Sequence, residues 1–206
     1  MKELGEDTYI LGIRIYRNRS KNLIGFSQSL YLERCLRGST CKISKKGLLP
    51  MQHGIHLSKR MLPKSFEERE KMAKVPYAFA IGSLMCAMLC TRPDIAYVAS
   101  VTSRFHSNLR LEHWATVKNI PTYLRRTKDM VLVYGGGELR LYGFSDSNFH
   151  SDMDDRKSIY GLKFTCNGGV VTWKSFKQYP VADSTIEAEY VATSDVQRRL
   201  FGLRSS

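Results

Sequence analysis

The chain has 206 residues, 43% of them hydrophobic and 25% charged, a globular balance sufficient for one large domain or two small ones. Lys and Arg outnumber Asp and Glu by 32 to 19, a formal charge of +13, which suits a polyanionic partner such as nucleic acid and equally describes a plain basic surface. No run of about 18 apolar residues occurs, so no segment is long and apolar enough to cross a membrane as a helix.

The opening "MKELGEDTYILGIRIYRNRS" makes a poor signal peptide, because acids precede its apolar part and Arg14 and Arg17 interrupt or close it. Within it "YILGIRIYR" alternates as a strand does. "NRSKN" is a polar turn and "LIGFSQ" a returning strand, which together predict a hairpin. "SQSLYLERCLR" follows with Leu30, Leu32, Cys35 and Leu36 near one helical face and Ser29 as an N-cap. Residues 42–65 are basic and turn-rich, with Gly47, Pro50, Gly54 and Pro63, and read as an exposed connection. A charged segment from Glu67 to Lys74 stops before Pro76.

"YAFAIGSLMCAMLC", Tyr77 to Cys90, is nearly all apolar or small and predicts a buried helix. Its Cys86 and Cys90, four apart, read as two buried thiols. The five cysteines form an odd set without a CxxC and lean towards a reducing compartment. A second helix begins with Thr91 or Arg92 ahead of Pro93 at its first turn. A third, "LEHWATVKNIPTYLRRTKD", is expected to kink or break at Pro121. "MVLVYGGG" adds a strand and a glycine stretch.

The second half changes character. "LRLYGFSDSNF" sets Leu141, Gly143 and Ser145 against Tyr142 and Phe144, a strand pattern. "SIYGLKFTCNGGVVTWKSFKQ" is a hairpin turning at Asn167-Gly168-Gly169. "STIEAEYVATSD" then starts a helix. The order strand, strand, strand, helix places Asp146 near the end of a strand and Glu187 in a first helical turn. Such a pair suits divalent metal, since each Mg²⁺ wants six hard oxygens and a phosphodiester-cleaving site holds two such ions. The same two residues equally suit a strand-end cap and a helix-start acid favoured by the dipole.

Nearly the whole chain resembles the C-terminal part of the Pol polyprotein of copia-type retrotransposons. "MKELGEDTYILGIRIYR" is similar to the segment just after the polymerase active site. "LPMQHGIHLS", "VPYAFAIGSLMCAMLCTRPDIAYVASVTSRF" and "HWATVKNIPTYLRRTKDMVLVY" resemble the connection that follows it. "GFSDSNFHSDMDDRKSIYGLKF", "VVTWKSFKQ" and "VADSTIEAEYVA" resemble the ribonuclease H domain. The resemblance implies an α/β (α+β) chain in two parts. Residues 1–137 form a reverse-transcriptase C-terminal and connection-like region, and 138–206 a truncated ribonuclease H-like meander plus helix. It assigns Asp146 to the first metal-binding aspartate, Glu187 to the helix glutamate and Glu189 to the weaker next acid. The family's remaining carboxylates are expected beyond Ser206, and Asp195 does not match them. The polymerase aspartates are expected upstream of Met1. Asp146 and Glu187 are therefore read as vestigial, no enzyme activity is expected, and no cofactor, with Mg²⁺ taken up only by a complete site. Asp152, Asp154 and Asp155 are read as a solvent-facing loop.

A second resemblance overlies residues 34–69. Arg34, Cys35, Leu36 and Arg37, followed by Glu67, Glu68 and Arg69, resemble the RxLR and dEER pair of secreted effectors of plant-pathogenic oomycetes. Arg34 and Arg37 also fit the solvent face of an amphipathic helix. The pair implies secretion, then action in a host plant cell, in nucleus or cytoplasm, on host proteins that modulate defence or cell death. Asn18-Arg19-Ser20 is a glycosylation sequon that matters only on secretion. The other reading is a retrotransposon remnant, inert or binding nucleic acid non-specifically. His53 and His56 are read as loop residues; Trp114, Trp173, Tyr123 and Phe176 as core rather than base-stacking groups.

Overall fold

The computed structural model describes residues 8–38, 49–51, 54–55, 57–58, 66–105 and 109–204. The hairpin turning at "NRSKN" forms where it is expected to, but "YILGIRIYR" is not one strand, because Leu11 and Gly12, with φ of 50° and 79°, turn the chain within it. Strands β1 (Tyr9–Ile10), β2 (Ile13–Asn18) and β3 (Leu23–Ser27) run antiparallel, with Asn18 opposite Leu23. The Asn18 carboxamide closes the turn, accepting from Ser20 Oγ at 2.8 Å and the Lys21 N–H at 3.1 Å. Strand β4 (Leu132–Tyr134) returns from far along the chain to pair antiparallel with β3, giving the order β1-β2-β3-β4.

Helix α1 (Ser29–Gly38) makes its first bond from the Leu32 N–H to the Gln28 carbonyl. Ser29 therefore lies inside the first turn and is not the N-cap the sequence suggested. Its N–H instead meets Ser27 Oγ at 3.3 Å. Helices α2 (Phe66–Ala73), α3 (Tyr77–Cys90), α4 (Ala96–Ser103) and α5 (Leu111–Arg126) follow, with a 3-10 turn at Pro93–Ile95. Leu32, Ile81, Leu84, Ile95, Val117 and Ile120 meet in a common core.

Three sequence-based expectations do not hold. Helix α3 is apolar all round, but its neighbours cover one face only. Phe79 is 67% and Leu89 64% exposed, Cys86 is exposed and Cys90 half-buried, so the two thiols are not a buried pair. Helix α5 passes through Pro121 without breaking, because Val117, Ile120 and Leu124 anchor both sides of the proline in one core. The 42–65 connection lies largely outside the described residues, yet Leu57 and Ser58 within it are buried, so it is not exposed throughout.

A buried cation ties the helices together. Arg92 is 2% exposed and grips Asp94 with two prongs, Nε at 2.9 Å and Nη2 at 2.6 Å. Nη1 donates to the Thr127 carbonyl at 3.0 Å, and Tyr123 Oη donates to Asp94 Oδ2 at 2.7 Å. Burial alone would raise the Asp94 carboxyl, but the Arg92 and Tyr123 bonds outweigh it and hold it below its ordinary range.

The second sheet is an antiparallel meander of β5 (Tyr142–Asn148), β6 (Ile159–Cys166) and β7 (Gly169–Lys177). Asn167 and Gly168, with φ of 51° and 77°, make its left-handed two-residue turn. Helix α6 (Thr185–Arg204) lies along β5 and buries Ala188, Ala192 and Val196 against the sheet. Gly143 permits this approach, since a Cβ there would lie 2.7 Å from Val196 Cγ1. Tyr160, Leu162 and Phe164 fill the space beneath α6.

The opposite face of this sheet packs on the first half. Trp173 Nε1 donates to the Met88 carbonyl at 2.9 Å, and Ser100 Oγ to the Ser175 carbonyl at 3.2 Å. The tip of the β6–β7 hairpin is clasped by the segment joining the two sheets. Gly135 N–H donates to the Asn167 carbonyl at 2.8 Å, and Asn167 N–H to the Glu138 carbonyl at 3.1 Å. Among the described residues the fold is thus α+β, with six α-helices and two antiparallel sheets.

Candidate functional site

The carboxylates singled out in the sequence sit around β5 and the start of α6, but they face different partners. Ser184 Oγ accepts the Glu187 N–H at 3.1 Å, and Glu187 Oε2 reaches back to the Asp183 N–H at 2.7 Å. Ser184 thus caps the helix by satisfying a backbone donor that the helix leaves over, while Glu187 folds back on the amide of the residue just ahead of that cap. Glu189 turns the other way, and its Oε1 accepts the Ser147 N–H on β5 at 3.2 Å.

Asp146 is set apart by strand alternation. Ser145 and Gly143 meet Thr193 and Val196 of α6. Asp146 therefore points to the opposite face with Phe144 and Asn148. As placed, Glu187 is spent on the Asp183 amide and Asp146 lies on the other face of the sheet. Among the described residues no three His, Cys, Asp or Glu side chains gather in an arrangement that holds a metal. Among the described residues this donor set does not fit a two-ion centre.

Asp195 is engaged deeper along the helix. Tyr160 Oη donates to it at 2.9 Å and Arg199 Nε at 2.8 Å. Burial would raise its carboxyl; the two bonds hold it low, and burial with the Asp195 carboxylate pushes the Tyr160 phenol up to about 12.

The loop carrying Asp152 departs from its expected solvent exposure. The Asp152 side chain is 11% exposed and forms a junction. Lys177 Nζ lies 2.9 Å and Arg104 Nη1 3.4 Å from its Oδ2, while the Asp154 and Asp155 N–H groups donate to Oδ1 at 3.1 Å each. Burial works to raise the Asp152 carboxyl, but Lys177 and the two amides keep it below the usual carboxylate range. Lys177 is raised against its own burial by Asp155 and Asp152. A charged loop became a strut because Arg104 and Lys177, distant in sequence, converge on it.

Between the Pro93–Ile95 turn, α4 and the face of the second sheet turned away from α6 lies a cleft of 660 Å³. Tyr97, Phe144 and Trp173 give it an aromatic wall, with Asp146, Lys163 and Ser175 as polar groups. Lys163 Nζ sits 5.0 Å from the Phe144 ring centroid. The cleft's volume falls within the range of small-molecule pockets. Sequence reading missed Tyr97 and Lys163; the available signal was register, which puts Lys163 opposite Phe144 and Trp173.

The other candidates are placed as follows. Arg34 and Arg37 are exposed on α1, with Cys35 and Leu36 half-buried between them. Arg37 pairs loosely with Glu33 at 4.0 Å. Glu67 and Arg69 are exposed on α2, and Glu68 meets Arg110 at 3.5 Å. Asn18 is exposed in its hairpin turn. Trp114 packs against the helical core, and Tyr123 and Phe176 also pack within the fold. His53 and His56 lie outside the described residues.

A three-strand meander followed by a helix laid over its first strand is consistent with a ribonuclease H-like α+β unit. Comparison with known proteins supplies the ancestry. The chain is 44% identical over 204 residues, 99% of its length, to the retrovirus-related Pol polyprotein from transposon TNT 1-94 of Nicotiana tabacum, and spans 15% of that polyprotein. It is 40% identical over 125 residues, 60% of its own length, to the secreted RxLR effector protein 161 of Plasmopara viticola, covering 88% of it. A putative transposon Ty5-1 protein of Saccharomyces cerevisiae is 29% identical over 199 residues, 95% of this chain and 62% of that one. No family model and no solved structure matches. The chain belongs to the family of copia-type retrotransposon Pol sequences, which also takes in a protein named as a secreted RxLR effector.

Proposed function

We propose that the protein is a non-enzymatic, secreted RxLR-type effector derived from a copia-type Pol segment. It acts inside a host plant cell, in nucleus or cytoplasm, on host proteins that govern defence or cell death. The observation that carries this reading is the 40% identity to a named RxLR effector, 88% of which the chain covers. Two features support it. Arg34 and Arg37 are exposed on α1, and Glu67 and Arg69 on α2, so both motif halves are accessible to a recognising partner. Glu187 is occupied by the Asp183 amide, which favours a structural over a catalytic use of the α6 acids. On secretion Asn18, in an exposed turn, is the glycosylation acceptor.

The test is expression of the chain in leaf tissue, scored for suppression or induction of cell death. Altered cell death that persists in an Asp146→Ala, Glu187→Ala double variant supports a non-enzymatic effector. No response in leaf, or Mg²⁺-dependent cleavage of an RNA–DNA hybrid that Asp146→Ala abolishes, overturns it.

A second reading is favoured by the 44% identity to the tobacco transposon over 99% of the chain. On it the protein is a Pol remnant that contacts nucleic acid through its basic surface. Filter binding to RNA or DNA that falls steeply with salt, without a leaf phenotype, supports this reading over the first.

A further inference from the structure

On the face of the second sheet turned away from α6, two cross-strand rows lie side by side. In one, Asp146 of β5 stands opposite Gly161 of β6, and Gly161 opposite Ser175 of β7. The next row runs Phe144, Lys163, Trp173. All six line the 660 Å³ cleft, which Pro93 and Tyr97 face from the helical side.

Gly161 leaves the floor of this cleft open. A Cβ built there meets nothing within 4 Å, whereas one at Gly143, on the α6 face, collides with Val196. Asp146 and Ser175 are two strand spacings apart, about 10 Å, so a single ring lies flat between them with a polar group at either edge. The charges beside the floor are not spent on each other. Among the described residues the Asp146 side chain has no hydrogen bond or ion pair, and Lys163 has no ion pair, its Nζ lying 5.0 Å from the Phe144 ring centroid. The Ser175 hydroxyl is buried without a partner, although Ser100 Oγ donates to the carbonyl of the same residue at 3.2 Å. Elsewhere on this sheet the charges pair, as Lys177 does with Asp152 at 2.9 Å.

We propose that the cleft binds a small, flat aromatic acid that also carries a hydroxyl or N–H donor. The ring rests on the Gly161 backbone, beside Trp173 and beneath Tyr97. Its acid group pairs with the Lys163 ammonium, and its donor bonds to the Asp146 carboxylate. Ser175 meets a second polar atom on the ring. Asp146 and Lys163 are diagonal neighbours across β5 and β6, about 7–8 Å apart, which sets the acid and the donor one ring apart. A nucleotide, with a sugar between its phosphate and its base edge, fits this spacing worse. The proposal rests on the cleft alone and stands under either reading of the protein's role.

The probe is meta-hydroxybenzoate, titrated into the full chain by calorimetry, with amide shifts followed by NMR. A Kd of about 0.1–1 mM is expected, with shift changes at Gly161 and Lys163. Benzoate, which lacks the donor, and phenol, which lacks the acid, are each expected to bind about fivefold or more weakly. Asp146→Ala removes the advantage over benzoate, and Lys163→Met the advantage over phenol. Gly161→Leu fills the open floor and abolishes binding in a chain whose circular dichroism matches wild type. The idea is overturned by no binding, by shift changes confined to other parts of the chain, or by benzoate and phenol binding as tightly as the probe. Binding that survives Gly161→Leu also overturns it, as does tighter binding of uridine monophosphate, which would make the cleft a nucleotide site.

Discussion

Ser147 N–H donates to Glu189 Oε1 at 3.2 Å, so Glu189, and not Glu187, is the acid that couples α6 to β5. Glu187 turns back to the Asp183 N–H at 2.7 Å. The two glutamates therefore fail differently. Glu187→Ala loses the bond that ties the start of α6 to the Asp183 amide and is expected to cost about 1 kcal/mol in urea unfolding. Asp146→Ala, at an exposed strand position, is expected within about 0.5 kcal/mol of wild type. A larger loss from Asp146→Ala than from Glu187→Ala would contradict these placements.

Arg92 cannot be exchanged for another cation. Its planar fork serves both Asp94 oxygens and the Thr127 carbonyl at once. A lysine ammonium is a point charge and reaches one of these at a time. Arg92→Lys is expected to destabilise by about 2 kcal/mol and Arg92→Ala by about 3–4 kcal/mol, because each strands buried acceptors. Thermal unfolding of both variants checks the order.

The Asp152 junction gives stability a defined pH dependence. The folded Asp152 carboxyl is held below its ordinary value by Lys177 and two amides. The unfolded chain then binds the proton more readily, so this contribution is whole above the usual carboxylate pKa of about 4 and fades as pH falls through the folded value. Lys177 is raised, so its share is whole below the ordinary lysine value and is lost as pH climbs through the folded one. Asp152→Asn is expected to cost about 1–3 kcal/mol at pH 7. Urea titrations should show that gap closing in acid; a gap that persists unchanged at pH 2 would rule the junction out.

Gly143 is required by space rather than by backbone conformation. An added Cβ would lie 2.7 Å from Val196 Cγ1 and 2.9 Å from the Phe164 ring. Gly143→Ala is expected to push α6 off β5 and cost about 1–3 kcal/mol. Val196→Ala in the same chain should return part of that loss, measured as a double-mutant cycle.

What the sequence disclosed was local. The Asn167-Gly168 turn, the alternation of Tyr142 to Asn148 and the apolar run of Tyr77 to Cys90 each specify their own element. The family resemblance added the order of elements. What stayed hidden depends on partners far away in the chain. Asp152 sits in a polar loop that looks solvated until Arg104, 48 residues earlier, and Lys177 reach it. Helix α3 reads as wholly buried because its sequence has no polar face, yet exposure is decided by which neighbours arrive. The two α6 glutamates have the same composition and nearly the same position, and only the side of the helix that meets β5 separates them.

The clasp of Gly135 and Glu138 around Asn167 makes the junction between the halves a weld and not a hinge. Three main-chain and side-chain bonds there, including Gly137 N–H to Asn167 Oδ1 at 3.3 Å, tie the linker to the tip of the opposite hairpin. Neither sheet can peel away without opening the other's boundary. Heat should therefore melt both in one transition, with calorimetric and van't Hoff enthalpies that agree. A protease that cuts near residue 137 should find its bond only after the whole molecule has let go.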